Sequence, residues 1–482
     1  MTRSIELPLW LLVLILAFAT VTFASHFLFP SVRWFFRKRL ERAVERLNQK
    51  LERPIEPFKL ARRYDMVQRL SYDPEVAKAI SEHARKSGVP EQVAFETAQR
   101  YAREIVPRFS ATAYFGFGIG VAKLLSRSFY RVRLGAFDEA RLKEIDPDST
   151  IVFVMNHRSN MDYVLVTWLA AERSHLSYAV GEWARVWPLR MLIRSMGAYF
   201  IRRKSRNALY RKVLSRYVRL ATDGGVTQAM FPEGGLSLNG TVGEPKLGLL
   251  SYLVQDFDPA VNRNVVFVPV AMNYDRVLED RVLVKADIMG NRRFGLRFKY
   301  VARHIGRHLW QRLTGKFHRF GYASVSFGTP LSLNDYLEGH VADDLLEDLG
   351  QELMSRIRDV VPVLPVPVVA AILLAQDGIT RADVEARFAS LVSDMEANGA
   401  HVHLPRSDMC YAAEVGIRLL TLRKLVTEAG EGAQATYYVN KPDRLILAFY
   451  ANSIAHLSDQ ITTVQISDLS PAEVADAAVL PD

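Results

Sequence analysis

The sequence predicts an α/β protein: a sheet with flanking helices, set between helical N- and C-terminal regions and preceded by one N-terminal transmembrane helix. Three observations predict it. From about residue 131, short apolar runs alternate with amphipathic stretches, the pattern of a sheet built from strand–helix repeats. On either side the apolar residues recur at three-and-four spacing, as in ERAVERLNQKLE and PEQVAFETAQRYAREIV. Finally, Leu7 to Phe29 contains no Asp, Glu, Lys or Arg, and a hydrocarbon core needs ~20 mostly apolar residues.

Taken in order, residues 1–30 read as a membrane anchor, 31–130 as a helical N-terminal region, 131–335 as the α/β domain and 336–482 as a mainly helical C-terminal region. Arg33, Arg37, Lys38, Arg39, Arg42 and Arg46 follow the apolar segment and only Arg3 precedes it, so the positive-inside rule puts the bulk of the chain in the cytoplasm. A cleaved signal peptide is the rival, but the n-region is weak, no A-x-A site is present and the basic flank resists export. Pro54 and Pro57 break the first helical piece, and Gly88 and Gly224 stop SYDPEVAKAISEHARKSG and NALYRKVLSRYVRLATDG. Ile151–Met155, Leu176–Val180, Ala198–Ile201, Val226–Phe231, Val265–Val270 and Ser324–Phe327 read as strands. The run Val366–Ala375 is too short to span a bilayer and reads as a buried helix.

Composition narrows the partners. A formal charge of +10 and a pI of about 9.5 favour a lipid surface, a phosphorylated substrate, an acidic carrier or nucleic acid. Nucleic acid is disfavoured, because no helix-turn-helix, RRM or zinc pattern accompanies the charge. The single cysteine, Cys410, excludes an intrachain disulfide and a Cys-based zinc site. His304 and His308 have the i, i+4 spacing of zinc ligands but lack the Glu of H-E-x-x-H. The surrounding Arg303, Arg307, Arg312, Lys316 and Arg319 read instead as a basic amphipathic stretch or an ordinary surface helix.

Chemistry concentrates at strand ends. In VMNHRSNMDY, His157 falls in the turn after a strand and Asp162 in the first turn of the next helix. A neutral imidazole accepts a proton from a hydroxyl at physiological pH, and a carboxylate on its far nitrogen fixes the tautomer and stabilises the imidazolium. Alone, His-x4-Asp is a common accident in a chain with eleven histidines. Three further stretches accompany it. FPEGGLSLNG carries Glu233 with Gly234 and Gly235, whose backbone can approach a ligand closely. GAYFIRRKSR supplies Arg202 and Arg203, donors suited to phosphate. VFVPVAMNYDRVLED holds Pro269 within a strand, which suits an edge or a substrate-lining bulge.

In this order, His-x4-Asp, G-x-x-F-I-R-R, F-P-E-G-G and V-P-V resemble the four sequence blocks of the glycerolipid acyltransferases. The chain is most similar to the membrane-bound bacterial glycerol-3-phosphate acyltransferases. AKAISEHARKSG, YAREIVPRFS and ILAFYANSIAHL extend the resemblance over most of residues 70–460. It implies an acyltransferase sheet wrapped by helices, acting at the cytoplasmic face of the inner or plasma membrane. The implied reaction moves a fatty acyl group from acyl carrier protein or coenzyme A to the sn-1 hydroxyl of glycerol 3-phosphate, with no cofactor beyond that thioester. By the same resemblance His157 is the general base and Asp162 orients it, while Arg202, Arg203, Glu233, Gly234 and Gly235, with Ser237 nearby, bind the acceptor. Pro269 belongs to the fourth block, associated with catalysis or the acyl donor, and Lys246 matches a family lysine that is an extra phosphate partner.

One departure stands out. Where the family's third block commonly reads E-G-G-R-S-R, this chain has Leu236 and Leu238, which removes charge-assisted bonds of ~1.5–3 kcal/mol each. Either Arg158, Arg194, Arg202, Arg203 or Lys246 compensates, or the acceptor is more apolar, such as 1-acylglycerol 3-phosphate. Two other classes stay open: a serine thioesterase using Ser237, although Asn239 breaks G-x-S-x-G, and a non-catalytic membrane lipid-binding protein.

Overall fold

The computed structural model describes residues 56, 58, 63–110, 112–170, 177–180, 197–202, 205, 207–255, 257–290, 319–339, 344–468, 470 and 474. The expected anchor, the helical stretch up to residue 55, Arg194, Arg203 and residues 303–318 of the basic stretch lie outside them.

Among the described residues eight strands form the main sheet: β1 (Arg131–Leu134), β2 (Thr150–Met155), β3 (Ser177–Val180), β4 (Tyr199–Phe200), β5 (Gln228–Met230), β6 (Val265–Tyr274), β7 (Tyr322–Phe327) and β8 (Leu331–Ser332). The order is β1-β7-β6-β2-β5-β3-β4, with β8 paired to β6. TIVFVM of β2 is buried at every position, as a strand covered on both faces must be. β2 runs parallel to β5 and β6, and β3 parallel to β4 and β5, so the carboxyl ends of these strands share one edge. That edge is where open α/β sheets bind ligands. β7 is antiparallel to β6, and β1 parallel to β7, which makes the sheet mixed. RVRL of β1 carries two exposed arginines on a sheet edge, a composition with no strand-like alternation to read.

β6 runs on to Tyr274 and lies between β2 and β7, so Pro269 is neither on an edge strand nor at a bulge. The ladder tolerates it because β7 pairs with Val270–Tyr274 and β8 with Val266 and Phe267, leaving a gap between them. The Pro269 carbonyl accepts from Gly328 N–H at 2.8 Å, just past β7. A residue's N and C=O point to the same side of a strand, so the absent N–H falls in that gap.

The expected N-terminal helices are present. Asp73 caps Pro74–Ser87 by accepting from Glu75 N–H (3.0 Å) and Val76 N–H (3.3 Å), and Gly88 ends it at φ 64°. This helix and Glu91–Ile105 pack against Ala208–Asp223 in one hydrophobic core with the β2 and β6 side chains Val152, Val154, Val265 and Phe267. Arg216 clamps the same Asp73, at 2.8–3.0 Å, so the cap doubles as a helix–helix tie.

In the C-terminal region, Pro365–Ala375 is a helix without a charged residue, buried as expected. Helices Arg381–Ala397, Met409–Leu422 and Arg444–Ala451 surround it. The region also holds a small antiparallel sheet of β9 (Ile379–Thr380), β10 (Val426–Ala429) and β11 (Thr436–Val439), in the order β10-β11-β9. Among the described residues no helix is long and apolar enough to cross a membrane.

Candidate active site

The turn between β2 and helix Met161–Ala170 brings His157 and Asp162 together. The His157 ring nitrogen Nδ1 lies 2.9 Å from Asp162 Oδ2, and both residues are buried, at 1% and 0% exposure. A carboxylate can only accept, so Nδ1 carries the hydrogen and Nε2 is left as the basic nitrogen. Asp162 is held on all sides. Oδ2 also accepts the N–H groups of Arg158 (2.7 Å) and Ser159 (3.0 Å), and Tyr274 donates its hydroxyl to Oδ1 at 2.5 Å. Burial raises the Tyr274 hydroxyl well above the usual phenol range, with Asp162 adding to the effect, so it stays a donor. The imidazole stacks on Phe231, centroids 4.1 Å apart, and meets the edge of Tyr163 at 5.4 Å.

The rest of the turn is anchored residue by residue. Asn156 bridges to Met272 of β6, its amide donating to the carbonyl (3.0 Å) and its Oδ1 accepting the N–H (2.8 Å). His157 N–H donates to Glu233 (2.8 Å), and His157 C=O accepts from Ser237 N–H (2.8 Å). Ser159 Oγ donates to Glu279 at 2.8 Å, and Asn160 donates to the same carboxylate from Nδ2 at 3.0 Å. Arg158 is 2% exposed, its guanidinium donating to the carbonyls of Gly240 and Phe449 and lying 4.7 Å from the Phe449 ring centroid. Burial pulls that guanidinium down to about 10.

The other expected residues divide. Glu233 is at the site, following β5, but its oxygens hold the N–H groups of His157 and Gly243 (3.2 Å). Burial pushes its carboxyl up to about 7 against those two bonds and the Arg158 charge. Gly234 bonds Phe231 C=O with its own N–H, whereas the N–H of Gly235 has no partner among the described residues. The Lys246 stem passes over Gly234, where a Cβ would lie 2.8 Å from its Cδ and 3.5 Å from its Nζ. Ser237 donates its hydroxyl to Thr241 C=O (2.7 Å) and accepts from Gly240 N–H (3.1 Å). No helix follows it directly, the next among the described residues starting at Leu250. A nucleophile elbow is therefore absent and the thioesterase reading loses its serine. Leu238 is core and Leu236 packs partly against that core.

Arg202 follows β4 at the same sheet edge, yet it is spoken for. Its guanidinium pairs with Glu104 at 2.9 and 2.6 Å, between the rings of Tyr101 and Tyr210. Pro269 stands beside Val154, three residues before His157, inside the sheet. Tyr274, Glu279, Phe231 and Phe449 were not anticipated. Tyr274 closes the apolar run VFVPVAMNY, where the carboxyl end of the strand is itself a signal, but no spacing links residue 449 to residue 158.

Two sequence families match this chain. The Acyltransferase family covers residues 139–273 and the glycerol-3-phosphate acyltransferase C-terminal region covers 310–458. The glycerol-3-phosphate acyltransferase of Pseudomonas paraeruginosa is 26% identical over 424 residues, which is 83% of this chain and 49% of that protein. Its namesake from Alteromonas mediterranea is 30% identical over 272 residues, 55% of this chain and 32% of that protein. That of Xanthomonas campestris pv. campestris is 26% identical over 435 residues, 84% and 47% respectively. This chain thus spans about half the length of the curated relatives it matches. The crystal structure of the 1-acyl-sn-glycerophosphate acyltransferase from Thermotoga maritima matches at a TM-score of 0.30 and 17% identity, over 61% of this chain and 95% of that one, too weakly to bear on fold or function. One chain thus carries both a region matching the Acyltransferase family and a region matching the C-terminal part of glycerol-3-phosphate acyltransferases, and its similarity to the curated glycerol-3-phosphate acyltransferases runs over 83% of its length.

Proposed function

We propose that the protein transfers a fatty acyl group from an acyl thioester, carried by acyl carrier protein or coenzyme A, to the sn-1 hydroxyl of glycerol 3-phosphate at the cytoplasmic face of the inner or plasma membrane. The observation that carries the reading is the buried His157–Asp162 pair, 2.9 Å apart at the carboxyl edge of the parallel strands. His157 Nε2 takes the proton of the acceptor hydroxyl as its oxygen attacks the thioester carbonyl. The C–O bond forms, the C–S bond breaks, and the imidazolium returns the proton to the departing sulfur. Asp162, fixed by four donors, stabilises that imidazolium and needs no covalent acyl-enzyme.

The acceptor phosphate is assigned to the Gly235 N–H and to Lys246, whose side chain passes over the adjacent Gly234; the Arg202 guanidinium pairs with Glu104 and that of Arg158 donates to the Gly240 and Phe449 carbonyls. Glu233 becomes a positioning residue for the His157 turn. A core Leu238 also weakens the argument for an apolar acceptor, since it packs inside the protein and not toward a ligand. That keeps glycerol 3-phosphate ahead of its 1-acyl derivative.

The test is acyl transfer by detergent-purified protein from one acyl thioester, with glycerol 3-phosphate and 1-acylglycerol 3-phosphate as parallel acceptors. His157→Ala is expected to lose transfer while keeping wild-type thermal unfolding. Turnover by a folded His157→Ala protein would sink the mechanism, and product from the lysolipid alone would move the enzyme one acylation later.

A further inference from the structure

The edge of the main sheet farthest from β4 carries a second concentration of polar groups. The register pairs Arg131 with Tyr322 and Arg133 with Ser324, so these four side chains share a face of β1 and β7. Both guanidiniums lie over the Tyr322 ring, at 5.7 and 5.6 Å from its centroid, and the His403 ring is 4.8 Å from the same ring. Apart from Arg131 Nη1 on Tyr322 Oη at 3.4 Å and Arg133 Nη1 on the Val132 carbonyl at 3.3 Å, the two arginines have no polar partner among the described residues. No carboxylate pairs with either among the described residues. Two positive charges two residues apart on one strand face repel each other unless an anion sits between them.

Two buried atoms of the same cluster lack partners. Ser324 is fully buried and its Oγ makes no hydrogen bond, and His403 Nε2 is likewise unsatisfied. A buried polar atom left unpaired costs about 1–3 kcal/mol, so such atoms call for a ligand or another explanation. Gly135 sharpens the point. A Cβ there would fall 2.2 Å from Ser326 Oγ, 3.1 Å from the His401 ring and 3.3 Å from Ser324 Oγ, so the missing side chain is what lets these groups converge. The His401–His403 segment is fixed by pairing with Val363, whose N–H donates to His401 C=O at 2.9 Å and whose C=O accepts His403 N–H at 3.0 Å.

We propose that Arg131, Arg133, His403 and Ser324 form a binding site for a phosphate-type oxyanion, separate from the His157 turn. The arginines form the exposed mouth, a guanidinium fork being the group that matches a tetrahedral oxyanion. The Ser324 hydroxyl and the His403 ring supply neutral donors beneath them. Burial, with the nearby Arg133 charge, holds His403 down at about 4, so its imidazole enters as a neutral N–H donor. The ligand is a phosphate monoester dianion or the phosphate of a lipid headgroup, two sources of one chemistry.

The test uses the full-length protein in detergent with inorganic phosphate as the probe, read by calorimetry, and Lys246→Gln as the control for phosphate held at the acceptor site. Wild type is expected to bind phosphate saturably. Arg131→Gln/Arg133→Gln should bind at least about tenfold more weakly while retaining wild-type acyl transfer. Ser324→Ala keeps both charges. It is expected to weaken phosphate binding about threefold or more and to leave the phosphate-free unfolding temperature unchanged or raised, because it deletes an unpaired buried hydroxyl. Vesicles of phosphatidic acid in phosphatidylcholine, against phosphatidylcholine alone, distinguish the sources: binding lost in the double variant assigns the lipid headgroup, and phosphate binding without vesicle binding assigns the soluble anion. Equal phosphate and vesicle affinity in wild type, the double variant and Ser324→Ala would overturn the site.

Discussion

At the residue scale the site is organised around a carboxylate. Asp162 accepts from an imidazole, two backbone N–H groups and a phenol, three of them on Oδ2 and the phenol on Oδ1. In Asp162→Asn, the amide carbonyl can keep the three donors on Oδ2 while the Tyr274 hydroxyl turns to accept from the new NH2. The fold therefore survives, but the imidazolium loses its counter-charge, and kcat is expected to fall ~10²–10⁴-fold. Tyr274→Phe removes one bond to a charged acceptor. It should cost about 1.5–3 kcal/mol in urea unfolding and lower kcat far less than Asp162→Asn does; equal losses in kcat would make Tyr274 part of the chemistry.

Two buried carboxyls set a pH dependence. Burial raises Glu233 from 4.5 to about 7, and Asp275, which accepts from Tyr322 N–H and Val366 N–H, from 3.8 to about 7. A raised carboxyl binds its proton more tightly in the folded state. Its contribution is complete below the unfolded value and is lost as pH climbs to 7, about 3–4 kcal/mol for each group. Urea midpoints are expected to fall between pH 5 and pH 7.5, and Glu233→Gln should flatten part of that slope. A flat wild-type profile would show that the backbone donors outweigh burial at both carboxyls.

At the scale of elements, a strand-end turn of five residues is fixed by groups from separate parts of the chain: Met272 of β6, Glu233 after β5, and Glu279 at the start of helix Asp280–Ile288. Gly240 shows how tightly the loop after Glu233 is fitted. Its φ is 92°, and a Cβ would sit 1.9 Å from the Phe449 carbonyl oxygen, the group that also accepts from Arg158. Gly240→Ala is expected to destabilise by about 2–4 kcal/mol through strained backbone and displaced helix. It should lower activity further by loosening Arg158, as paired unfolding and turnover measurements would register.

At the scale of the whole molecule, the C-terminal region is part of the site's frame. Arg423 donates to Asp280 at 2.5 Å and to the Tyr450 hydroxyl at 3.0 Å, and Tyr450 donates to the same Asp280 oxygen at 2.5 Å. Helices Asp280–Ile288 and Arg444–Ala451 and the residue capping the end of Met409–Leu422 thus share one charge pair, with side chains 11% and 5% exposed. Removing one member strands the other charge, so Asp280→Ala is expected to cost about 3–5 kcal/mol. Because the helix bearing Tyr450 also presents Phe449 to Arg158, the loss should be felt in turnover as well as in the melting temperature.

What the sequence by itself determined is local. The all-apolar TIVFVM, the three-and-four spacing of the helices, the Asp73 and Gly88 caps and the uncharged Pro365–Ala375 helix are properties of contiguous residues, and backbone periodicity converts them directly into elements. His157 and Asp162 were legible for the same reason, since five residues of turn suffice to bring a ring and a carboxylate together. The tertiary structure decided what each side chain meets across the chain: that Arg202 is held by Glu104, that Glu233 serves the backbone of His157, that Pro269 fills a gap inside the sheet, and that Tyr274, Glu279 and Phe449 frame the turn. Contacts between residues 98 or 291 positions apart have no period in the sequence. They exist only once burial of the two sheet faces has fixed the strand order, and with it the neighbours of every charged group.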